Sequence, residues 1–218
     1  MRRLDVFTLF PEAFEWFLGQ RHVHNAKRDG LEVRLLNYRD TTPLGAGQVD
    51  DAPYGGGAGM VLRVDVVDAA LRAAYGEHPG GRRIVLLSPS GRIFDEELAR
   101  ELAAEREVAL LCGRYEGVDE RVRERLATDA ISIGRFVISG GELAAMVVAD
   151  AVVRKLPGAL GDAESATEES FSEALAGAPE YPHYTRPAEY RGWGVPEVLL
   201  SGDHERIREW RLERSRDR

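Results

Sequence analysis

The chain has few cysteines, few lysines and no long hydrophobic run, and each shortage excludes a class of protein. Its single cysteine, Cys112, cannot form an internal disulfide. No run of roughly 18 apolar residues occurs, so we expect no membrane-spanning helix and no membrane partner. The N-terminus reaches a charge at Arg2 and has no signal-peptide core, which predicts a cytoplasmic protein. The histidines have no metal-ligand spacing, so we expect no metal site.

Two nucleotide-binding signatures are also missing. A phosphate-binding loop needs the pattern G-x-x-x-x-G-K-[ST], but neither lysine, Lys27 or Lys155, follows a glycine. The dinucleotide fingerprint G-x-G-x-x-G would need glycines at 55, 57 and 60, and residue 60 is Met60. These absences exclude a metabolic enzyme that binds nucleotides through either loop.

The negative charge is concentrated in one segment. The net charge of −8 argues at first against a nucleic-acid partner, because proteins that bind nucleic acid are usually basic. Residues 159–180, however, hold six acidic residues and no basic one, whereas residues 181–218 hold eight arginines and seven acids. Arginine outnumbers lysine 27 to 2. Arginine favours forked contacts with phosphate, although genomic base composition produces the same bias.

Apolar runs typical of buried strands alternate with helical segments across most of the chain. Strands are predicted at Leu4–Phe10, Leu31–Tyr38, Ile84–Leu87, Val108–Cys112, Ala130–Ile133 and Phe136–Ile138. Helices are predicted at Pro11–Leu18, Val64–Tyr75 and Glu142–Lys155, from the cap Asp95 to Glu105, and from the cap Asp119 to Leu126. The alternation predicts an α/β fold with a parallel sheet covered on both faces.

Composition divides the chain into three regions. Residues 1–158 carry the α/β pattern. Residues 159–180, rich in Ala, Glu, Ser and Gly, have the composition of an acidic flexible linker. Residues 181–218 are predicted to form a small helical domain, with a helix around Ile207 and Trp210.

Three glycine-bearing loops follow consecutive predicted strands, at residues 88–91, 113–117 and 132–143. Ligands of α/β sheets bind outside the carboxyl ends of the strands. Glycine also lets a ligand approach the backbone closely. The three loops together therefore predict a site for one small ligand, although any one of them alone is more often an ordinary tight turn.

Several segments, read in order, resemble one family: the bacterial tRNA (guanine-N1)-methyltransferases, or TrmD family, of the SPOUT superfamily. The matching segments include Leu9-Phe10-Pro11-Glu12, Pro53-Tyr54-Gly55-Gly56-Gly57, Leu87-Ser88-Pro89, Cys112-Gly113-Arg114-Tyr115-Glu116-Gly117, Ser139-Gly140-Gly141-Glu142-Leu143, Pro182-His183-Tyr184-Thr185-Arg186-Pro187 and Val198-Leu199-Leu200-Ser201-Gly202. The resemblance covers nearly the whole chain.

The resemblance implies a fold, a reaction and partners. The fold would be a SPOUT-type parallel sheet with a deep C-terminal trefoil knot in residues 1–158, followed by the linker and a small tRNA-binding domain in residues 181–218. The reaction would move a methyl group from S-adenosylmethionine to N1 of guanosine 37 of tRNA, giving 1-methylguanosine. The partners would be tRNA and a second copy of the chain, with active sites at the homodimer interface. The sequence neither implies nor excludes Mg²⁺.

The resemblance also implies the residues that bind S-adenosylmethionine. They are Leu87, Ser88, Pro89, Gly113, Tyr115, Glu116, Gly117, Ile133, Gly134, Arg135, Phe136, Val137, Ile138, Gly140, Gly141 and Leu143.

Two further residues are implied for catalysis. Guanine N1 carries a proton, so its methylation needs a base and a cation that stabilises charge on O6. Arg154 matches the cation of the family, although the residue types also fit a surface pair with Asp150 four residues earlier. Glu169 stands where the family commonly has the aspartate base, and its side chain is about 1.5 Å longer. On composition alone, Glu168 and Glu169 are solvated linker charges.

Two other functions remain open from the sequence. One is a SPOUT RNA methyltransferase with a different target base, and the other is an RNA-binding module that keeps the fold without catalysis. Contacts with RNA are predicted from the C-terminal arginines and two aromatic residues. These are Arg186, Arg191, Arg206, Arg208, Arg211 and Arg214, with Tyr184 and Trp193.

Overall fold

A computed structural model describes residues 1–77, 80–160 and 169–217. The chain divides into two units, Met1–Ala159 and Leu160–Arg218. Residues 161–168 of the expected linker, Glu168 among them, lie outside the described residues. None of the described helices is long and apolar enough to span a membrane.

The first unit alternates strands and helices. Its elements are β1 (Arg3–Thr8), α1 (Glu15–Leu18), α2 (Arg21–Arg28), β2 (Glu32–Asn37), β3 (Asp50–Asp51), β4 (Val61–Leu62), α3 (Val64–Tyr75), β5 (Arg83–Ile93), α4 (Glu96–Ala104), β6 (Glu107–Cys112), β7 (Asp129–Ser132) and α5 (Gly141–Val153). A 3₁₀ helix spans Pro11–Phe14, and a π-helix spans Val122–Leu126. Five strands form one sheet in the order β2-β1-β6-β5-β7. All of its pairings are parallel.

Side chains of the central strands alternate between two cores, one on each face of the sheet. Val108, Leu110 and Cys112 of β6 pack into the core that α1, α2, α4 and α5 cover. Ala109 and Leu111 pack into the opposite core, beneath α3 and the π-helix. A strand that is buried on both faces reads as a continuous apolar run, which is why the sequence reveals β6 clearly. The expected α/β architecture with a parallel sheet is confirmed.

Strand β5 is longer than the run Ile84–Leu87 predicts, and its pairing with β7 is interrupted. Both Leu87 and Arg92 pair with Ile131, so the residues between them leave the ladder and return to it. Gly91 lies in this excursion, where a Cβ would stand only 2.4 Å from the Ile131 backbone nitrogen. The two backbones therefore approach so closely at this position that only glycine fits.

Three local elements differ from the expectation. The segment Phe136–Ile138 is an irregular loop rather than a strand, and its Phe136 and Val137 side chains are exposed. The helix expected from the cap Asp119 to Leu126 is present over residues 120–126 but is a π-helix over Val122–Leu126, and the Asp119 carboxylate accepts the Arg121 amide at its start. Helix α2 was not expected, because Val23 and Ala26 are its only buried residues and give little apolar periodicity.

The second unit contains short elements and one longer helix. They are β8 (Glu189–Tyr190), β9 (Trp193–Gly194), α6 (Glu197–Leu200) and α7 (His204–Arg216), preceded by a 3₁₀ helix at Glu173–Leu175. Asp203 caps α7 by accepting bonds from two backbone amides of its first turn. The Ser215 hydroxyl of α7 donates to the Pro179 carbonyl at 2.6 Å. The described end of the expected linker thus packs on α7 within this unit.

Candidate active site

A cavity of about 170 Å³ lies among the three glycine loops of the first unit. A single water needs only ~10–15 Å³ by the same kind of measure, so the cavity has room for a small organic ligand. Every residue expected to bind S-adenosylmethionine lines this cavity except Arg135 and Leu143. Leu143 is 61% exposed on α5. The structure thus brings together residues that are up to 54 positions apart, from Leu87 to Gly141.

The loop after β6 is braced on its outer side by β4. The Glu116 amide donates to the Met60 carbonyl at 3.0 Å, and the Leu62 amide donates to the Gly117 carbonyl at 3.0 Å. Tyr115, at the centre of the loop, has a φ of 61°, a backbone conformation that costs energy for a residue with a side chain. The bonds of the two residues that follow Tyr115 therefore help to maintain a strained backbone at the cavity wall.

The Tyr115 side chain is itself anchored away from the sheet. Asp50 of β3 and Arg39 are the charged residues that act on its hydroxyl. Partial burial, together with the Asp50 charge, raises the pKa of Tyr115 above its usual range. The phenol therefore stays protonated near neutral pH.

Two glycines let α5 begin directly against the end of β6. The Gly141 amide donates to the Gly113 carbonyl at 2.8 Å. A Cβ at Gly141 would stand 2.6 Å from the Cys112 Cα, and a Cβ at Gly140 would stand 2.9 Å from the Arg114 Cδ. A side chain at Gly141 therefore fits only if α5 or the loop moves, whereas one at Gly140 requires the Glu142 and Arg114 side chains to move. Both glycines line the floor of the cavity.

A buried polar cluster lies behind that floor. The Thr8 hydroxyl donates to Glu142 at 2.8 Å, and both residues are buried. Arg114 donates to the Ser139 carbonyl at 2.8 Å, and its guanidinium carbon lies 4.5 Å from the Phe10 ring centre. Arg114 thereby ties the loop after β6 to the loop before α5. Burial raises the pKa of the neighbouring Cys112 thiol well above its usual range, so this thiol is neutral and a poor nucleophile.

The cavity also has lining residues that are not among those expected to bind S-adenosylmethionine. They are Leu86, Arg114, Val118, Glu120, Arg123, Ile131, Ser132, Ser139 and Ala144. Most adjoin expected positions, so extending each loop by one residue would have found them. Arg123 and Glu120 had no such signal, because they reach the cavity from the π-helix and the turn before it.

The two residues expected to act in catalysis belong to different units. Arg154 follows the last residue of α5 in the first unit and is partly buried. Its alternative partner, Asp150, has a carboxylate oxygen 2.9 Å from the His22 Nε2 atom. Glu169 belongs to the second unit, where its carbonyl accepts a bond from the Ser172 amide at 3.0 Å. Among the described residues, no group of three or more His, Cys, Asp or Glu could hold a metal ion.

Comparison with known proteins gives one consistent match. The family described as "tRNA (Guanine-1)-methyltransferase TrmD" matches residues 1–218. A tRNA (guanine-N(1)-)-methyltransferase of Brevibacillus brevis is 51% identical over 214 residues, 98% of this chain and 86% of the relative. The proteins of that name from Geobacter metallireducens and Pelotomaculum thermopropionicum are each 52% identical, over 96% and 98% of this chain and 84% of each relative. The chain belongs to the TrmD family of tRNA (guanine-1)-methyltransferases.

Proposed function

We propose that this protein transfers the methyl group of S-adenosylmethionine to N1 of guanosine 37 in tRNA, next to the anticodon, giving 1-methylguanosine. The carrying observation is the cavity that three glycine loops form in a chain of this family. Membership alone supports a tRNA (guanine-N1)-methyltransferase. The position in the tRNA, the methyl donor and the residue roles below are part of the proposal.

The cavity residues fit S-adenosylmethionine chemically. Glycines expose backbone N–H and C=O groups at the cavity wall, where an adenine edge and ribose hydroxyls need hydrogen-bond partners. Ile133, Ile138 and Phe136 supply apolar surface for a flat ring. When bound, S-adenosylmethionine supplies a methyl group on a positively charged sulfur, so the departure of the leaving group requires no metal. The role of the cavity is to hold that methyl group in line with guanine N1.

Glu169 accepts the proton of guanine N1 in this proposal, and Arg154 stabilises the negative charge that moves onto O6. A positioned general base contributes roughly 10²–10⁴-fold. A cation aimed at developing charge stabilises the transition state electrostatically. Glutamate carries the same carboxylate as aspartate on a side chain longer by about 1.5 Å, so Glu169 differs from the usual base in its reach.

The proposal also includes a homodimer, a knot and a tRNA-binding surface. The homodimer is supported by exposed apolar side chains near the cavity, including Val137 and two residues one turn apart on α5, Leu143 and Val147. The trefoil knot is supported by the family that the chain matches and by the close backbone approach of Gly91 to Ile131. The tRNA surface is supported by the exposed arginines of the second unit. A tRNA substrate is consistent with action in the cytoplasm.

Methylation of defined transcripts tests the proposal. A tRNA transcript with guanosines at positions 36 and 37 is incubated with the protein and S-adenosylmethionine, and the modified base is mapped. We expect a methyl group on N1 of guanosine 37 and none on a transcript with adenosine at 37. A methyl group on another base would favour a different SPOUT methyltransferase. Binding of tRNA without methylation would favour a non-catalytic RNA-binding module.

A further inference from the structure

The proposed base, Glu169, begins a closed loop of the second unit, residues 169–180, which we call the base loop. The Ser172 amide donates to the Glu169 carbonyl at 3.0 Å, and the Glu180 amide donates to the Ser170 hydroxyl at 2.9 Å. The first bond makes a tight turn at the base, and the second joins the two ends of the loop. Compact loops with bonded ends are frequently functional.

The backbone of the base loop is strained two residues after Glu169. Phe171 has a φ of 67°, a conformation that costs energy for a residue with a side chain. Its amide donates to the Ala178 carbonyl at 2.9 Å, so the opposite side of the loop holds it in that conformation. Strained backbone persists only where surrounding contacts enforce it, and it occurs often at functional sites.

Helix α7 holds the base loop through Ser215. This serine is only 2% exposed, and its hydroxyl donates to the Pro179 carbonyl at 2.6 Å. Pro179 lies between Ala178 and Glu180, the two residues that bond to the opposite side of the loop, next to the base. The Ser215 bond therefore fixes on α7 the side of the loop that holds the other side in place.

We propose that Ser215 is a positioning residue for Glu169: its hydroxyl fixes the base loop on α7, and the fixed loop places the Glu169 carboxylate for proton transfer from guanine N1. The inference rests on the proposed function, which gives Glu169 the role of base. A general base must lie within hydrogen-bond reach of the proton that it accepts, and a displacement of about 1 Å can cost about 10²-fold in rate.

Loss of the Ser215 hydroxyl leaves the Pro179 carbonyl without this donor, so the base loop leaves α7 in a fraction of the molecules. Glu169 is then in position only in the remaining molecules. The rate of methyl transfer falls in proportion to that remaining fraction.

Single-turnover methyl transfer to a tRNA transcript with guanosines at positions 36 and 37 tests the inference. The first variant is Ser215→Ala, and the second is Ser170→Ala, which removes the acceptor that joins the ends of the base loop. The matched control is Ser172→Ala, because Ser172 is a buried serine of the same loop whose hydroxyl has no hydrogen-bond partner among the described residues. Ser215→Ala is also combined with Glu169→Gln, and calorimetry measures the Kd of S-adenosylhomocysteine for every variant.

We expect Ser215→Ala and Ser170→Ala each to slow methyl transfer about fivefold, the scale of one neutral hydrogen bond. Ser172→Ala should keep the rate of the unaltered protein. The Kd of S-adenosylhomocysteine should change less than about twofold in all of them, because the cavity belongs to the first unit. In the Glu169→Gln protein, Ser215→Ala should cause no further loss, because the group that it positions is absent.

Three outcomes would overturn the inference and leave the proposed methyl transfer standing. They are an unchanged rate in Ser215→Ala, a loss of S-adenosylhomocysteine affinity as large as the loss of rate, and an equal effect of Ser215→Ala with and without Glu169→Gln. Failure of the unaltered protein to methylate the transcript would instead overturn the proposed function, and the inference with it.

Discussion

Replacing Gly141 by alanine tests how tightly α5 is seated on β6. Within a helix, alanine is normally more favourable than glycine by up to about 1 kcal/mol. Here the added Cβ would stand 2.6 Å from the Cys112 Cα and 2.8 Å from the Gly113 nitrogen, and both are backbone atoms that no rotamer change can move. The helix start must therefore shift away from β6.

The sign of the effect follows from three magnitudes. Forcing an extra methyl group into a packed interior costs about 1–3 kcal/mol. Lengthening the bond from the Gly141 amide to the Gly113 carbonyl, now 2.8 Å, costs up to about 1 kcal/mol more. The helix preference of alanine offsets less than about 1 kcal/mol. We expect a net loss of about 1–3 kcal/mol in the free energy of unfolding.

Urea unfolding followed by circular dichroism measures this loss as a lower midpoint with an unchanged slope. Gly45→Ala is the matched control, because a Cβ at Gly45 meets no atom within 4 Å. S-Adenosylhomocysteine should also bind more weakly to Gly141→Ala, since the shifted helix start forms the cavity floor. A midpoint equal to or above that of the unaltered protein would refute the packing argument.

Three further outcomes are expected. Glu169→Gln should slow single-turnover methyl transfer about 10²–10⁴-fold. Glu173 is an exposed acid of the same unit, so Glu173→Gln should keep the rate of the unaltered protein. Equal rates in the two variants would exclude the base role of Glu169. Arg154→Gln should lower kcat about 10²-fold and leave the Kd of S-adenosylhomocysteine within about twofold, and a matching loss of affinity would contradict that assignment. Arg121 donates to both carboxylate oxygens of Asp119 and lowers the pKa of this carboxyl. The pair therefore stabilises the fold above the unfolded-state pKa, about 3.9, and the contribution is lost as pH falls through the lower folded value. In Asp119→Asn, the urea midpoint should fall less steeply with decreasing pH below about pH 4 than it does in the unaltered protein. An equally steep fall in both proteins would contradict a stabilising role of the pair.

The sequence predicts best those elements whose burial leaves a pattern. Val108–Cys112 is apolar throughout because the strand has a core on each face, and Asp95 marks a helix start because its carboxylate accepts the Leu98 amide. Helix α2 leaves almost no pattern, since it buries only Val23 and Ala26. The segment Phe136–Ile138 misleads for the opposite reason. Its residues form an apolar run like that of a buried strand, but they line a cavity or face solvent and pair with no neighbouring strand.

The sequence also predicts the location of the site better than it predicts the individual residues that line it. Loops at the ends of consecutive strands predict one cavity because parallel strands end at one edge of the sheet. Which residues of a loop face the cavity depends on the path of the backbone. Gly140, Gly141 and Ala144 line it, whereas Leu143, rotated about 100° from Ala144 along α5, does not. Arg123 could not be predicted, because its approach to Ser90 depends on how two distant segments fold together.

The loop after β6 is bonded on both of its sides, to residues 60–62 and to the start of α5. The loop after β6 therefore forms part of the cavity wall and also restrains the chain that follows the glycine-rich segment Tyr54–Gly59. Ordering on one side of this loop lowers the conformational entropy that ordering on the other side would cost. Hydrogen exchange at the Glu116 and Leu62 amides reports on this shared wall, because both protons are held in the bonds that join its two halves.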